Sequence, residues 1–392
     1  MKYKYTTSIL VIGFTLFVGA MSILTPDKLI SQQEGRTLQP LPKGETFEEE
    51  SYKKELLNGD AFKKWDNYFS DHIYGRSKFV NTYTDIQMNL GKKYINGIYL
   101  GEDNELIKSG NYGIYDKEYR TKRAEHFNKF AGKFKNAKTY VVNIPNKNYA
   151  YEEKMPIKDF KSGQSIFIGD ILNKIDKEKI KVLDLTEEIR KDKNNYYKTD
   201  HHLNMNGAYS SYKFIIKSIN KDIPQVQKPK EKLEFEIKTY EDVFIGSYGR
   251  QVLNVVDKMD DIQVYKDKNF KDYKVYNQSG EAKLFYEEQV SKDKLDNDYG
   301  VYLGGDKPLV KIENNQSNNE LRVVVIGDSM DNPIIPLLAS HFKTTYSFDL
   351  RGYEGNLIKE IENINPDVIL LIGASNNYIM STDIFNWDKN RN

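Results

Sequence analysis

A short turn after an apolar run carries the clearest candidate nucleophile. Leu321–Ile326 reads as a buried strand, and Gly327, Asp328 and Ser329 follow it before a predicted helix that begins near Pro333. Parallel α/β sheets place their sites at the carboxyl edge of the strands, where this turn would present the Ser329 hydroxyl. We expect the backbone N–H groups of the turn to be free to stabilise a developing anion. The pattern indicates acyl transfer through serine, and a serine that caps a helix gives the same tripeptide.

A serine hydroxyl becomes a nucleophile only when a base removes its proton, and this chain has five histidines. His72, His126 and His341 lie in helical or polar surroundings that are typical of structural histidines. The other two, His201 and His202, are adjacent and follow an aspartate. They are therefore the candidates for the base.

The segment around Asp200 suggests which of the two histidines serves. In an extended segment alternate side chains point the same way, so we expect Asp200 and His202 to share a face and His201 to point away. The carboxylate would hold one ring nitrogen of His202, and the other nitrogen would take the proton of Ser329. A solvated loop, or a metal site built from Asp200 and both histidines, gives the same run of residues. The triad interpretation calls for no metal and no cofactor.

The elements that must position these groups alternate between strands and helices. Apolar periodicity predicts strands at 139–144, 181–185, 321–326, 344–348 and 368–372, with helices at 120–134, 166–179, 206–219, 333–342 and 356–364. This alternation predicts an α/β fold with a mainly parallel sheet covered on both faces. Two more amphipathic helices are predicted at 62–68 and 76–90. The interval 228–319 breaks the rhythm with short alternating pieces, including 234–238, 262–265 and 283–286, and predicts a β-rich insertion.

The N-terminus predicts export. Lys2 and Lys4 precede an uncharged stretch, Tyr5–Pro26, that is long enough to approach the roughly 30 Å hydrocarbon core of a bilayer. Positive flanks stay cytoplasmic, so the rest of the chain is expected outside the membrane. A signal peptide cleaved after the small residues Val18–Ala20 is the alternative, and we favour an uncleaved single-pass anchor because the apolar run continues to Leu24. The predicted organisation is an anchor or signal at 1–26, a polar stalk at 27–60 and one domain at 61–392.

Composition excludes several function classes. The 58 basic and 57 acidic residues give a net charge of +1, which argues against nucleic acid as the main partner. The chain has no cysteine, which excludes disulfides, thiolate zinc sites and cysteine catalysis.

The ordered motifs resemble a known family. An Asp-x-His element before a Gly-Asp-Ser element, behind an N-terminal apolar segment, resembles the permuted SGNH hydrolase-like proteins typified by the alginate O-acetyltransferases AlgJ and AlgX. It is more similar still to the DHHW family of Gram-positive bacteria, whose motif stands here as Asp200-His201-His202-Leu203, with leucine in place of tryptophan. Other matching stretches are Ile144–Lys147, Phe244–Tyr248 and Tyr302–Asp306. The likeness runs from about Phe62 to Met380.

That resemblance implies a three-layer α/β/α SGNH-hydrolase-like domain, circularly permuted, in which Ser329, His202 and Asp200 form the triad. It also implies an oxyanion hole built from a glycine and an asparagine. The cleft candidates in this chain are Gly352, Asn376, Asn377, Asp328 and His201. A helix cap or a turn explains Gly352 and the two asparagines equally well. Substrate-binding residues are not assigned.

The function that the resemblance implies is an extracytoplasmic serine O-acetyltransferase or acetylesterase acting on a cell-surface or secreted polysaccharide. The implied partners are the polysaccharide acceptor and a separate membrane-bound acyltransferase that supplies acetyl groups. One alternative is a noncatalytic membrane-anchored protein that binds or assembles polysaccharide with the same fold. A third class is a metal-dependent hydrolase centred on Asp200 and the two histidines.

Overall fold

The computed structural model describes residues 5–34, 36–42, 50–108, 117–155, 164–291, 293, 296–379, 385 and 387. Part of the predicted stalk, residues 35 and 43–49, lies outside this range, as does Met380. The chain forms two compact units, 1–96 with 250–257 and 97–249 with 258–392. The domain boundaries derived from the sequence remain predictions.

The first unit is mostly helical. Its elements are α1 (Thr6–Leu24), β1 (Ile30–Ser31), β2 (Arg36–Thr37), α2 (Glu50–Asn58), α3 (Asp60–His72), α4 (Arg76–Asn89) and β3 (Tyr94–Ile95). In α1 none of the residues is buried, and it is the one helix in the described part of the chain that is long and apolar enough to cross a membrane. Its 19 residues span about 28 Å at 1.5 Å per residue. The predicted N-terminal apolar helix is confirmed, and both an anchor and a signal segment have this form.

The second unit contains the remaining strands and helices. Its strands are β4 (Ile98–Leu100), β5 (Leu106–Lys108), β6 (Lys138–Ile144), β7 (Ile180–Asp184), β8 (Phe235–Phe244), β9 (Asp260–Asp267), β10 (Tyr273–Asn277), β11 (Gly280–Ala282), β12 (Leu309–Asn314), β13 (Arg322–Ile326), β14 (Thr344–Phe348) and β15 (Val368–Ala374). Its helices are α5 (Lys117–Ala131), α6 (Lys147–Ala150), α7 (Gln164–Lys174), α8 (Thr186–Arg190), α9 (Met205–Asp222), α10 (Ser247–Gln251), α11 (Ile335–Ala339), α12 (Leu357–Ile364) and α13 (Ser375–Ile379), with α10 contributing residues to both units.

An eight-stranded sheet organises the described part of the second unit, in the order β11–β10–β12–β14–β13–β15–β6–β7. The five strands from β14 to β7 are parallel, and β12, β10 and β11 add an antiparallel edge. The mainly parallel α/β prediction is confirmed. Because β13, β15 and β6 are neighbours and parallel, the segments that follow them meet at one edge of the sheet.

Both faces of this sheet are covered. On one face Val324 of β13 packs with Phe127 of α5 and Ile361 of α12. On the other face the next residue, Val325, packs with residues of α9 and α11 such as Ile215 and Leu338. Successive side chains of a strand point to opposite faces, so a strand covered twice must be apolar at every covered position, as β13 is from Val323 to Ile326. The result is a three-layer α/β/α arrangement.

The β-rich interval divides between two sheets. Strands β10, β11 and β12 join the main sheet, while β8 and β9 form a separate antiparallel ribbon. The alternating piece at 283–286 forms no strand of its own and holds an isolated bridge between Phe285 and Tyr302.

Candidate active site

The turn after β13 holds Ser329 at the carboxyl edge of the sheet. A Cβ atom on Gly327 would lie 1.9 Å from Asp331 Oδ2 and 3.0 Å from a backbone oxygen, so only glycine fits there. The buried Asp328 carboxylate accepts the Met330 N–H at 2.9 Å and the Ala374 N–H at 3.0 Å, which ties the turn to the end of β15. Ser329, between these fixed residues, is half-buried.

The backbone N–H groups of this turn differ from the prediction. Besides the Met330 N–H, which bonds the Asp328 side chain, the Asp331 N–H donates to the Asp328 carbonyl at 3.0 Å. The expectation that these groups are free is wrong for Met330 and Asp331, because Asp328 uses them to shape the turn.

The Asp200–His202 segment is bent, not extended. It lies in a loop closed by a bridge between Tyr196 and Leu203. The Asp200 carboxylate accepts the His202 backbone N–H at 2.9 Å, a bond to the residue two positions on that bends the chain. His201 therefore does not point away: its ring centroid lies 3.8 Å from that of His202. The predicted extended conformation of this segment is wrong, although the predicted contact between Asp200 and His202 is present.

Three predicted residues form a continuous hydrogen-bond chain. His202 Nδ1 lies 2.5 Å from Asp200 Oδ1, and His202 Nε2 lies 2.7 Å from Ser329 Oγ. An ionised carboxylate can only accept, so we assign the ring proton to Nδ1, which leaves Nε2 to accept the serine proton. This is the arrangement in which a histidine acts as the general base for a serine.

The electrostatics of Asp200 suit this arrangement. Burial opposes ionisation of its carboxyl, but the imidazoles of His201 and His202 and the Ser247 N–H, 2.5 Å from Asp200 Oδ2, outweigh it. Together they hold the pKa of Asp200 well below its ordinary value. Burial and the adjacent His202 lower the pKa of His201 to about 4, so His201 is neutral near neutral pH.

Glycine at position 246 allows a second loop to approach the carboxylate. A Cβ on Gly246 would lie 2.1 Å from Asp200 Cβ and 2.3 Å from Asp200 Oδ2. The approach brings the Ser247 N–H onto the carboxylate, and the Gly246 N–H donates to the Thr199 hydroxyl at 2.9 Å. The matching stretch Phe244–Tyr248 thus holds the acid in place.

Lys147 supports the loop that carries Asp200, and the sequence analysis assigned it no role. Its fully buried ammonium donates to the carbonyls of Tyr197 at 2.6 Å, Lys198 at 2.8 Å and Asp200 at 3.2 Å. It also pairs with Glu105 at 2.9 Å. Burial lowers the pKa of Lys147, and the Glu105 carboxylate opposes that shift. Its position directly after β6, among the motif matches, was the available signal.

Tyr299 is a second residue that the sequence did not single out. Its ring stacks on His202, with centroids 4.1 Å apart and planes at 17°. Its hydroxyl donates to the Ser329 carbonyl at 2.6 Å. Burial raises the pKa of Tyr299 well above its ordinary value, so the hydroxyl keeps its proton. Leu203 replaces the tryptophan of the DHHW motif, and Tyr299 gives His202 an aromatic surface from a segment nearly a hundred positions later.

The structure places the oxyanion candidates in other hydrogen bonds. The Gly352 N–H donates to the Asp349 carbonyl at 3.2 Å. The Asn376 N–H donates to Asn146 Oδ1 at 2.9 Å, and the Asn146 side-chain amide donates back to Asn376 Oδ1 at 3.1 Å. The Asn377 side chain donates to Asp328 Oδ2. The role of Gly352, Asn376 and Asn377 as oxyanion donors stays a prediction, and Asn377 has a visible role in fixing Asp328.

The metal alternative uses the same side chains. Among the described residues, Asp200, His201 and His202 have ligand-type atoms within 4.8 Å of one another. Both ring nitrogens of His202 already take part in hydrogen bonds, to Asp200 and to Ser329. Asp200 Oδ1 bonds His202, and Asp200 Oδ2 accepts the Ser247 N–H. An ion there would have to displace the bond between His202 and Asp200, so the donor set fits a hydrogen-bonded relay better than a metal centre.

Comparison with known proteins agrees with this fold. The family model of the SGNH hydrolase-like domain of acetyltransferase AlgX matches residues 115–292, a stretch that includes Asp200 and His202 and ends before Ser329. The fold of this chain is an SGNH hydrolase-like α/β fold. The resemblance predicted from the motifs is confirmed.

Solved structures are similar to this chain over about three quarters of its length. Bacillus cereus PatB1 is 26% identical and aligns with a TM-score of 0.64, covering 74% of this chain and 99% of that one. A second structure of PatB1, with a sulfonyl adduct, is 24% identical with a TM-score of 0.63 and covers 74% and 98%. A DHHW family protein from Eubacterium siraeum is 19% identical with a TM-score of 0.62 and covers 75% and 96%. Comparison with curated proteins gave no match.

Proposed function

We propose that this protein is a serine O-acetyltransferase or acetylesterase that acts outside the cytoplasm on a cell-surface or secreted polysaccharide. The observation that carries the proposal is the pair of hydrogen bonds at His202, 2.7 Å to Ser329 Oγ and 2.5 Å to Asp200 Oδ1. The match to an acetyltransferase-related SGNH domain supports acyl transfer as the reaction class.

The geometry supports a two-step reaction. Ser329 Oγ attacks the acetyl carbonyl while its proton passes to His202 Nε2, and the tetrahedral intermediate collapses when that proton moves to the leaving oxygen of the donor. In the second step His202 takes a proton from a sugar hydroxyl or a water, whose oxygen attacks the acetyl group on Ser329. The acetylated acceptor, or acetate, leaves and Ser329 regains its proton. Asp200, ionised throughout, holds the ring and stabilises the imidazolium formed in both steps.

Two residues assist without touching the substrate. Tyr299 fixes the Ser329 carbonyl and the plane of the His202 ring, while Lys147 fixes the carbonyls of the loop that carries Asp200. Both residues restrict the movement of Ser329, His202 and Asp200 before substrate binds. Preorganisation of this kind is a main source of catalytic power.

We further propose that α1 remains as a membrane anchor and that the acetyl donor comes from a membrane-bound acyltransferase. The 19-residue apolar helix behind Lys2 and Lys4 supports the anchor. An anchored enzyme is held close to the membrane, where a transported acetyl group would emerge. Isolation of the protein from cell membranes with an intact N-terminus tests the anchor, and a mature protein that begins after Ala20 would contradict it.

The experiment that tests the activity is ester hydrolysis by the full-length protein in detergent. We expect hydrolysis of a small acetyl ester, and Ser329→Ala should abolish it while the melting temperature stays unchanged. Equal hydrolysis by both proteins would remove Ser329 as the nucleophile and would favour a protein that binds polysaccharide without modifying it. Activity that chelators abolish would favour the metal alternative.

A further inference from the structure

Helix α4, in the first unit, exposes an apolar stripe. Phe79, Tyr83, Ile86 and the C-cap residue Leu90 are spaced four, three and four apart, so they follow one face of the helix to its end. Their exposed fractions are 43%, 51%, 51% and 68%. A contiguous apolar surface of this kind marks an interaction site in a protein that is otherwise rich in charge.

The side of α4 that is turned inward, about 70–130° around the helix from the stripe, carries polar residues. Thr84 and Gln87 are its buried residues. The Thr84 hydroxyl accepts a bond from the Asn96 side chain at 3.3 Å, and Asn81 accepts one from Gln33 at 2.8 Å. A surface helix facing water would bury its apolar stripe and expose these groups. Here the polarity is inverted, which indicates that the outer face meets a nonpolar medium.

The contacts of α1 indicate which medium this is. Within the first unit, the Tyr74 N–H donates to Ser22 Oγ at 2.8 Å, and the Tyr74 ring lies 6.3 Å from that of Phe17. The Phe79 ring, the first of the stripe, lies 6.1 Å from that of Phe14. These partners run from the exported end of α1 to its middle. If α1 spans the bilayer, its partner Phe79 lies at the level of the lipid.

We infer that the stripe Phe79, Tyr83, Ile86 and Leu90 contacts the acyl chains of the extracytoplasmic leaflet beside α1, so that α4 is an interfacial helix. Its apolar side chains would enter the boundary between headgroups and acyl chains, as those of membrane-surface helices do. Helix α3, which precedes α4 in the chain, also exposes Phe62 and Phe69, and the following Ile73 is exposed as well. This inference rests on the proposed retention of α1 as an anchor.

Spin labels can locate the stripe, because the chain has no cysteine and each introduced one is unique. The full-length variants Tyr83→Cys and Ile86→Cys would be labelled and reconstituted into phosphatidylcholine and phosphatidylglycerol vesicles. Lys78→Cys is the control, since Lys78 is exposed on the same helix about 100° from Phe79. Collision rates with oxygen, which enters lipid, and with a water-soluble nickel complex are then compared by electron paramagnetic resonance.

The inference predicts that the ratio of oxygen to nickel accessibility is several-fold higher at positions 83 and 86 than at position 78. The ratio at positions 83 and 86 should fall when the protein is transferred from vesicles into an amphipol without lipid. High nickel accessibility at both stripe positions would overturn it. Low accessibility to both reagents would overturn it too, by indicating contact with a second copy or another protein. The intact mass of the reconstituted protein shows whether α1 is still present, so loss of α1 is distinguished from these outcomes. Ester hydrolysis by the same samples tests the proposed activity independently.

Discussion

Replacing Tyr299 with phenylalanine removes one hydrogen bond and keeps the ring that lies on His202. The lost bond is the 2.6 Å contact to the Ser329 carbonyl. A neutral buried bond contributes about 0.5–1.5 kcal/mol net. If the whole amount is lost from the transition state, kcat/KM falls by between about twofold and about tenfold, since 1.36 kcal/mol is a factor of ten.

Tyr299→Leu removes the stacked ring as well. An aromatic pair contributes about 0.5–1.5 kcal/mol beyond its buried area, so the leucine variant should lose a further factor of about two to ten. The order wild type, Phe, Leu therefore separates the two contributions, measured as kcat and KM for hydrolysis of a small acetyl ester.

Tyr302→Phe is the matched control. The Tyr302 hydroxyl donates to the Gln263 carbonyl at the same distance, 2.6 Å, it also lies 3.2 Å from the Tyr197 hydroxyl, and the side chain is likewise buried. Tyr302→Phe should therefore lose at least as much stability as Tyr299→Phe in thermal unfolding, and only Tyr299→Phe should lose activity. The reasoning is refuted if Tyr299→Phe keeps wild-type kcat/KM, or if Tyr302→Phe loses as much.

Three further predictions concern groups that support the relay or its surroundings. Gly246→Ala places a methyl group 2.1 Å from Asp200 Cβ and should lower kcat for ester hydrolysis more than tenfold. Gly169→Ala is the control and should leave kcat unchanged, because a Cβ there meets no atom within 4 Å. Lys147→Met should lower the free energy of unfolding by about 1–3 kcal/mol in urea titration, because the buried Tyr197 and Asp200 carbonyls lose the Lys147 ammonium and Glu105 keeps only its pair with Lys154; an unchanged midpoint would contradict the bracing role. Burial lowers the pKa of His341 to about 3. As the pH falls, the unfolded state therefore takes up a proton on this histidine before the folded state does. The contribution of neutral His341 to the free energy of unfolding is full above about pH 6.5 and declines by about 1.4 kcal/mol per pH unit toward pH 3. Thermal unfolding of His341→Asn should show a shallower decline of stability over pH 4–6.

Local sequence patterns were sufficient for the fold because its strands are covered on both faces. The run Val323–Ile326 is apolar at every position, and Val368–Ile372 is apolar in the same way, so both are recognisable without their neighbours. The stretch 283–286 lacks such a continuous apolar run and pairs only at Phe285, since strand formation there depends on partners that the local pattern does not show.

The chemistry-bearing residues were also visible, but their geometry was not. Ser329 and His202 were identifiable because a serine in the turn after a buried strand and a histidine near an aspartate together supply the groups of one defined chemistry. The bend at Asp200 depends on a bond from its carboxylate to the His202 N–H, which competes with extended structure and leaves no periodic signal. Tyr299 and Lys147 reach the relay from distant segments, so their roles follow only from tertiary structure.

The central claim is that Ser329 carries the acetyl group during turnover. The direct measurement is mass spectrometry of the full-length protein after brief incubation with an activated acetyl ester and rapid acid quench, followed by peptide mapping. Asp200→Asn, which keeps the side-chain size, should slow formation of the adduct, and Ser329→Ala should prevent it. The account predicts a single acetyl group on the peptide that contains Ser329. An adduct on another residue, or substrate turnover with no adduct on Ser329 under any quench time, would contradict it.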